Sequence, residues 1–483
     1  MWPIYWIAKH TISKAIRSKI SFAIFFLLLM ILVVLPNHLQ SDGSVEGSVK
    51  ILLMWTMGGS LLLLSLFTLF TMITAIRSDI TEKQVLTLEA TPAHRWKILI
   101  GKFIAVMIIN FVLICFVGGT SYLNIILKFN SLEAKYKNAE AILKKEPYDE
   151  KSLEIKRDYH VLKQDVLSAR YSIEDYYDVQ ELVDNDVSIL LKGGNLEGSE
   201  EEYRRKRTAD YSKNEFFYVP SGRLSARPIV FKNVPKPPPG VLYFTFKYNL
   251  FSSQNMNDRI LGVWTVFIKG KYYNSKSKQI AVFKVDHPSG QYKSLRFPCK
   301  DIDKDSSLFF MFNNFGPKEV LKNRNKTFKV LVPFSTFELN LTKACLLIYF
   351  KLSLIACLGV FLSSFLSFPV SVFMGSCYIF FSYVHELFSR AVRSLQPFKQ
   401  TKDSVVQLNY FDNLLTEFSF FIVRIFPDFH DGSGDNLVNG EFISWLILVD
   451  DIGANVIFRG GILLLLGIVI YHYVEMGKAV VDD

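Results

Sequence analysis

A histidine–glutamate pair in the second half of the sequence comes nearest to a hydrolytic metal site. His385-Glu386 resembles the start of the H-E-x-x-H pattern, in which two histidines on one helix face hold zinc and the glutamate acts as the base. The position of the second histidine is occupied by Ser389, which cannot replace an imidazole ligand. A metalloprotease is therefore not expected.

A short loop near the carboxyl end gathers acidic and imidazole side chains. The segment F-P-D-F-H-D-G-S-G-D-N contains Asp428, His430, Asp431 and Asp435. These residue types can ligate a cation, but aspartates beside glycines also form turns in which the side chain caps its own backbone. The turn is the favoured interpretation, and a cation site is the alternative.

The remaining sequence indicates neither a nucleotide site nor a proton relay. Gly101-Lys102 is followed by Phe103 instead of the serine or threonine of a phosphate-binding loop. The centres of most apolar runs carry almost no ionisable residue, whereas a proton relay in a membrane needs several. Lys351 is an exception, and we expect its long side chain to reach the headgroups at the membrane surface. The chain is therefore expected to be neither an enzyme nor the binder of a cofactor.

Cysteine usage and charge narrow the class of protein further. Four of the five cysteines lie in apolar stretches and Cys299 stands alone in the polar middle, so neither a disulfide framework nor a structural zinc site is expected. The 483 residues carry a formal charge of +10, which by itself fits a nucleic-acid partner. Because half of the residues are apolar and the basic residues flank apolar runs, the charge indicates a membrane surface, and no nucleic-acid partner is expected.

Apolar runs of about 20 residues predict an α-helical integral membrane protein with six transmembrane helices. The first run follows a long basic segment and is not followed by a cleavage site, so we expect a retained span rather than a signal peptide. Before it, Ile4–Ser18 has the spacing of an amphipathic helix lying on the membrane surface; the alternative is an extension of the first span. The six predicted spans are Ser21–Pro36, Ile51–Ile76, Phe103–Ile126, Ala344–Phe365, Pro369–Leu387 and Val456–Tyr473.

The distribution of lysine and arginine in short loops predicts the orientation of the spans. Four basic residues precede the first span and five lie in Arg77–Lys102, whereas Asn37–Lys50 has only Lys50. Both termini are therefore expected on the cytoplasmic side of a cell membrane. The basic residues after the fifth span disagree with this orientation; they are Arg390, Arg393, Lys399 and Lys402.

About 215 residues of different composition, 127–342, separate the third and fourth spans. Its first part is charged with apolar residues at helical spacing, which predicts an antiparallel helical hairpin broken near Pro147. Short aromatic and β-branched runs follow, which predict a β-sandwich or jelly-roll-like part. Trp264, Tyr272 or Tyr273 could bind a saccharide there, but a core tryptophan and strand-face tyrosines are the favoured interpretation.

The loop Arg77–Lys102 is the most informative segment for function. It is short and of mixed charge, and we expect a helix near Thr81–Leu88 that is broken before Pro92. A rigid cytoplasmic helix between two spans is a segment on which a soluble motor could act.

The membrane half of the sequence resembles the membrane subunits of ABC type-2 exporters, including the branch of the copper-enzyme maturation permease. The loop matches that family's pattern at Ser78, Asp79, Ile80, Pro92, Arg95, Gly101 and Lys102. Phe426–Trp445 and the exit of the last span at Glu475 are also similar to the family. The resemblance does not extend to 127–342, where ordinary members have a short connection.

The resemblance implies that this chain is a permease driven by a separate ATP-binding subunit, which would hold ATP and magnesium. A homodimer, or a heterodimer with a related permease, is implied, and the bacterial inner membrane is the expected location. Phe426–Trp445 would be re-entrant or surface helices at the outer face. The residues expected to dock the ATP-binding subunit are Asp79, Glu82, Lys83, Pro92, Arg95 and Trp96.

A second interpretation is an ABC-linked scaffold or mechanical relay, which would move its outer domain without transporting cargo. Such relays usually have four spans, so a count of six favours the exporter. A membrane enzyme would need a catalytic set that the sequence does not contain. Lipids, glycans, peptides and small hydrophobic drugs all remain compatible substrates, and the insert could receive the substrate or bind an envelope partner.

The predicted organisation therefore has six parts. These are an interfacial helix (1–20), spans one to three with the coupling loop 77–102 (21–126), an extracytoplasmic α+β insert (127–342, with a helical stalk at 131–190 and a sandwich at 226–336), spans four and five (343–390), an extracytoplasmic or interfacial segment (391–455), and span six with a cytoplasmic tail (456–483).

Overall fold

The chain folds into a helical unit and a β-rich unit in the computed structural model. The helical unit comprises Met1–Leu167 and Thr336–Asp483, and the β-rich unit comprises Ser168–Ser335. The structure describes residues 2–34, 44–81, 94–176, 180, 183–184, 187–188, 190–191, 199–213, 216–223, 228–253, 258–269, 278–304, 306–323, 328–394, 417–421, 423, 425–429 and 434–473.

The helical unit is built from helices of very different lengths. Its helices are α1 (Trp2–Ile16), α2 (Lys19–Leu29, continued by a π-helix at Met30–Val34), α3 (Val45–Thr81), α4 (Arg95–Leu143), α5 (Glu150–Val161, continued by a π-helix at Leu162–Val166), α7 (Phe337–Phe365), α8 (Phe368–Tyr383), α9 (His385–Ser394), α10 (Gly434–Val438), α11 (Trp445–Asp451, continued by a π-helix at Ile452–Gly460) and α12 (Gly461–Tyr473). Helix α6 (Glu200–Lys213) belongs to the other unit.

Four of the described helical segments are long and apolar enough to cross a membrane. They are α3, α4, α7 and the continuous segment Trp445–Tyr473. Two shorter apolar helices, Phe22–Val34 and Phe368–Tyr383, fall on the first and fifth predicted spans. The described parts of all six predicted apolar runs therefore fall on helical segments, and four of these segments reach the length that a span requires.

The amino-terminal segment forms a separate helix. Helix α1 ends at Ile16 and α2 begins at Lys19, so α1 is not an extension of the first apolar run. It packs closely against α4 at Gly101, where an added Cβ would lie 3.0 Å from Cγ2 of Ile7. Glycine at this position lets the two helices approach each other.

Helix α4 continues far beyond its apolar part and then reverses direction. Its 49 residues correspond to about 74 Å, more than twice the thickness of a hydrocarbon core. The chain turns before α5, whose first turn is capped by Asp149 accepting a hydrogen bond from the Ser152 backbone amide at 3.0 Å. Tyr136 of α4 and Tyr159 of α5 stack with ring centroids 4.2 Å apart. The chain turns back near Pro147, where the sequence predicts the break, but Ser168–Glu174, within the predicted stalk 131–190, form a strand.

The β-rich unit contains two sheets. Its strands are β1 (Ser168–Glu174), β2 (Phe216–Val219), β3 (Ile229–Val234), β4 (Tyr243–Ser252), β5 (Arg259–Lys269), β6 (Lys278–Pro288), β7 (Tyr292–Pro298), β8 (Ser306–Asn314), β9 (Val320–Asn323) and β10 (Lys329–Thr336). One sheet has the order β1-β10-β4-β9-β2 with β7 also paired to β4, and the other has the order β3-β8-β5-β6. When the short strands β2 and β9 are left out, the two sheets have the orders β1-β10-β4-β7 and β3-β8-β5-β6. This is the strand order of a jelly roll, which agrees with the sequence prediction.

The two sheets pack face to face through aromatic side chains. Phe246 of β4 stacks on Phe310 of β8 with ring centroids 4.0 Å apart. Residues of β8 alternate between buried and half-buried positions, as expected for a strand with one face in a core. Trp264 of β5 is 0% exposed in this core. A saccharide therefore cannot stack on Trp264, whereas Tyr272 and Tyr273 lie outside the described residues.

Candidate functional site

A buried ion pair joins the two helix ends that flank residues 82–93. Asp79 lies in the last turn of α3, and Lys102 lies two turns into α4. Lys102 Nζ donates to Asp79 Oδ2 and to the carbonyl oxygen of Ala75, and both charged side chains are almost fully buried. The pair fixes where α3 ends relative to where α4 begins.

Helix α1 adds a third contact to this pair. Lys14 Nζ donates to Ser78 Oγ at 3.0 Å and lies 3.7 Å from Asp79 Oδ1. The carboxylate is therefore held between two ammonium groups that come from different helices. We call Lys14, Asp79 and Lys102 the charge clamp.

The position of the charge clamp on α3 explains its composition. The carboxyl end of a helix carries a partial negative charge, which disfavours an aspartate there and favours a lysine. Lys102 compensates for the negative charge of Asp79 and for that of the helix end, because it contacts the Asp79 carboxylate and a backbone carbonyl of the same helix end. Removing one partner of such a buried pair leaves an uncompensated charge, which is strongly unfavourable.

A second contact connects the start of α4 to the last apolar helix. Arg95 Nη1 donates to the backbone carbonyl of His472, at the end of α12, at 3.0 Å. Trp96 is next to Arg95 and is 43% exposed, with Lys97 Nζ 5.6 Å from the centre of its ring. Four helices, α1, α3, α4 and α12, are thus tied together at the ends that flank residues 82–93.

The structure therefore separates the predicted docking residues into three groups. Asp79 and Arg95 make contacts within this chain, and Trp96 is partly exposed beside them. Glu82, Lys83 and Pro92 lie outside the described residues. The docking role of all six stays a prediction.

Sequence reasoning missed Lys14 and Lys102 as members of the site. Lys102 stands at the start of an apolar run, and an ionisable residue near a membrane segment is a signal for a specific partner. Its partner is 23 residues away across a loop, however, and no periodicity in the sequence connects the two.

A second polar cluster lies on α7 and holds the segment before α11. Lys343 Nζ donates to the Ile443 carbonyl and Lys351 Nζ to the Phe429 carbonyl, each at 2.8 Å. Lys351 is only 1% exposed. The expectation that Lys351 reaches the membrane surface is therefore wrong, because a chain segment 78 residues away covers it and supplies an acceptor.

Asn340 completes this cluster with two hydrogen bonds. Its Nδ2 donates to the Glu441 carbonyl at 2.9 Å, and its Oδ1 accepts from the Ile443 amide at 2.8 Å. One buried side chain thus satisfies both a donor and an acceptor of the incoming backbone. The segment that the family resemblance gave as re-entrant or surface helices is docked on α7 at these points.

Replacing Asn340 by alanine should loosen this segment. Two buried backbone groups would lose their partners, at a cost of about 1–3 kcal/mol each. We expect faster proteolysis around residues 434–445 and a lower melting temperature in detergent. Thr342→Ala is the control on the same helix, since its hydroxyl bonds only within the helix, to the Glu338 carbonyl at 2.9 Å, at an exposed position. Equal protease sensitivity of the two variants would contradict the assignment.

The candidate metal residues do not form a metal site in the part of the chain that the structure describes. His385 Nδ1 lies 3.5 Å from Asp428 Oδ2, and His385 Nε2 lies 3.2 Å from the Val423 carbonyl. No group of three potential ligands occurs among the described residues. His430 and Asp431 lie outside them.

Lys322 and His287 are buried basic residues of the β-rich unit. Burial lowers the pKa of Lys322 to about 8 and, as the main cause, lowers the pKa of His287 below its usual value. These shifts reflect the cost of charge in an apolar core, so they give no argument for a catalytic site.

The chain matches no protein-family model, and neither a curated protein nor a solved structure is detectably similar to it.

Proposed function

We propose that this chain is the membrane subunit of an ATP-driven ABC exporter, powered by a separate ATP-binding subunit. The observation that carries the proposal is the charge clamp, which holds the ends of two long apolar helices on either side of the loop 82–93. A loop anchored in this way transmits displacement to the helices instead of absorbing it.

The proposed mechanism follows from the helices that meet at the loop. ATP binding in the partner subunit displaces residues 82–93. Asp79 and Lys102 make α3 and α4 move together, Lys14 couples α1, and Arg95 couples α12. Repacking of these helices against a second permease copy opens the transport path to the other side.

The proposal includes six spans with both termini in the cytoplasm. The helical segments Phe22–Val34 and Phe368–Tyr383 are shorter than a perpendicular span, and flanking residues would complete them. The membrane is then crossed an even number of times. The insert between α4 and α7 faces the outer side in this arrangement.

A mechanical relay is the second candidate, and two observations favour it. Four of the described helices qualify as spans, which is the usual number for such relays. Helix α4 also runs without a break from Arg95 beside the loop to Leu143 at the hairpin. A rigid rod of this length would carry motion of the loop directly to the far end of the hairpin.

Replacing Arg95 by alanine tests the coupling step. The variant should respond less to ATP, because α12 is no longer tied to α4. A coupling free energy on the order of 1–3 kcal/mol corresponds to a 5- to 150-fold change in the response to ATP. The measurement is the rate of maleimide labelling of the native Cys345 in α7 with and without vanadate-trapped ATP.

Lys97→Ala is the matched control, since Lys97 lies in the same helical turn and its ammonium lies over the neighbouring Trp96 ring. An exporter predicts ATP-dependent labelling of Cys345 in the wild type and the control. A relay predicts constant labelling of Cys345 together with an ATP-dependent change in proteolysis of the hairpin. Labelling of a Lys83→Cys variant only from the far side of the membrane would overturn both.

A further inference from the structure

Two cavities of different character meet beside helix α1. The first, of about 260 Å³, lies between α1 and the last turns of α3 and is lined by Lys14, Lys19 and Ser78 among others. We call it the basic cavity. The second, of about 230 Å³, lies along α2, α3 and α4 and is called the apolar cavity. Ala15 lines both of them.

The basic cavity has an excess of positive charge. Lys14 and Lys19 line it, and Asp79 is the acidic group among its lining residues. Asp79 is already bonded to Lys102, whose ammonium lies behind it. The two lysines of the lining and Lys102 together outnumber the one carboxylate, so an anion entering the cavity would be attracted rather than repelled.

Hydroxyl groups extend this polar environment along α3. Thr71, Thr74 and Ser78 line the basic cavity at helical spacing and can donate to phosphate oxygens. Phe70 lines it next to them and provides an apolar wall. The lining of the cavity is therefore charged at Lys14 and Lys19 and apolar at Phe70.

The apolar cavity contains side chains of one kind. Every residue that lines it is apolar, and the members include Ile16, Phe22, Phe25, Leu28, Phe67 and Leu113. A soluble anion is not stabilised in such a cavity. A hydrocarbon chain is stabilised there, because it is removed from water and fills a gap between helices.

We propose that the two cavities together bind one anionic glycerophospholipid. The headgroup phosphate contacts Lys14 and Lys19, and an acyl chain passes Ala15 into the apolar cavity. The bound lipid joins α1 to α3 beside the charge clamp. This assignment requires only that the helical unit lies in a bilayer, so it does not depend on the proposed transport function.

The test compares two lipids with identical acyl chains. The full-length chain in detergent is mixed with dioleoylphosphatidylglycerol or dioleoylphosphatidylcholine, and retained lipid is counted by native mass spectrometry. We expect one tightly held phosphatidylglycerol. Each lysine near an anionic lipid contributes about a fivefold change in affinity, so Lys14→Gln/Lys19→Gln should bind it roughly 30-fold more weakly.

Lys9→Gln/Arg17→Gln is the matched control, because it removes the same charge from the amino-terminal segment at positions outside the cavity lining. If the double variant fails to fold, Lys19→Gln alone changes an exposed position and should weaken binding about fivefold. Equal retention of the two lipids by the wild type would overturn the proposal. The proposal would also be overturned if the lysine double variant and its control lost phosphatidylglycerol equally. The same holds if glycerol 3-phosphate alone stabilised the chain as much as phosphatidylglycerol does.

Discussion

Replacing Asp79 by leucine should lower the free energy of unfolding of the helical unit by about 3–5 kcal/mol. The substitution leaves Lys102 buried without its carboxylate, and Lys14 loses its acidic neighbour. Lys102→Leu should have a similar effect for the opposite reason, because a buried carboxylate then lies at a helix carboxyl end. Thermal unfolding of the purified chain in detergent measures both changes.

The double variant Asp79→Leu/Lys102→Leu should recover most of this loss. Two apolar side chains of suitable size can replace a buried ion pair at little cost, whereas one remaining charge cannot be accommodated. Glu46→Gln is the control, since its pair with Lys50 at 2.6 Å is partly exposed and should contribute at most about 1 kcal/mol. Additive effects of the two leucine substitutions would show that the charges do not interact.

Trp264→Ala should unfold the β-rich unit or reduce its stability by about 3–5 kcal/mol. The indole ring is fully buried and lies 5.2 Å from the ring of Phe246, 5.4 Å from Tyr248 and 5.0 Å from Phe312. Its removal would leave a large cavity in the centre of the contact between the sheets. Limited proteolysis of residues 168–335 in the full-length chain is the measurement.

Tyr292→Ala is the control for this substitution, because Tyr292 is 58% exposed on β7. It should change protease resistance little. A Trp264→Ala variant that keeps wild-type protease resistance would show that the indole is not part of the core, and would reopen the possibility of a ligand-stacking role.

The elements that depend on local pattern could be predicted from the sequence. The short aromatic and β-branched runs of the insert coincide with β4, β5, β6, β8 and β10. Such strands can be predicted because the alternation of residue types lies within a few neighbouring positions. The short strands β2 and β9 carry four residues each, which is too few for a clear pattern. The break before α5 was also local, because Pro147 cannot continue a helix.

The contacts that define the site could not be predicted in the same way. Asp79 and Lys102 are ordinary loop-flanking charges in the sequence, and only the packing of α3 on α4 brings them together. The Lys351 prediction failed for a related reason. Because Lys351 lies within an apolar run, we expected its side chain to extend to the membrane surface. Its hydrogen-bond acceptor is instead the Phe429 carbonyl, from a distant segment that folds back on α7.

The neighbouring positions of β1 and β10 in one sheet bear on the history of this chain. The polypeptide enters the β-rich unit along β1 and leaves it along β10, so entrance and exit use adjacent strands. A block bounded in this way can be acquired or discarded in one genetic event without rearranging what it is spliced into. Shorter versions of this protein, in which a brief linker replaces residues 168–335, are thus compatible with an intact helical unit.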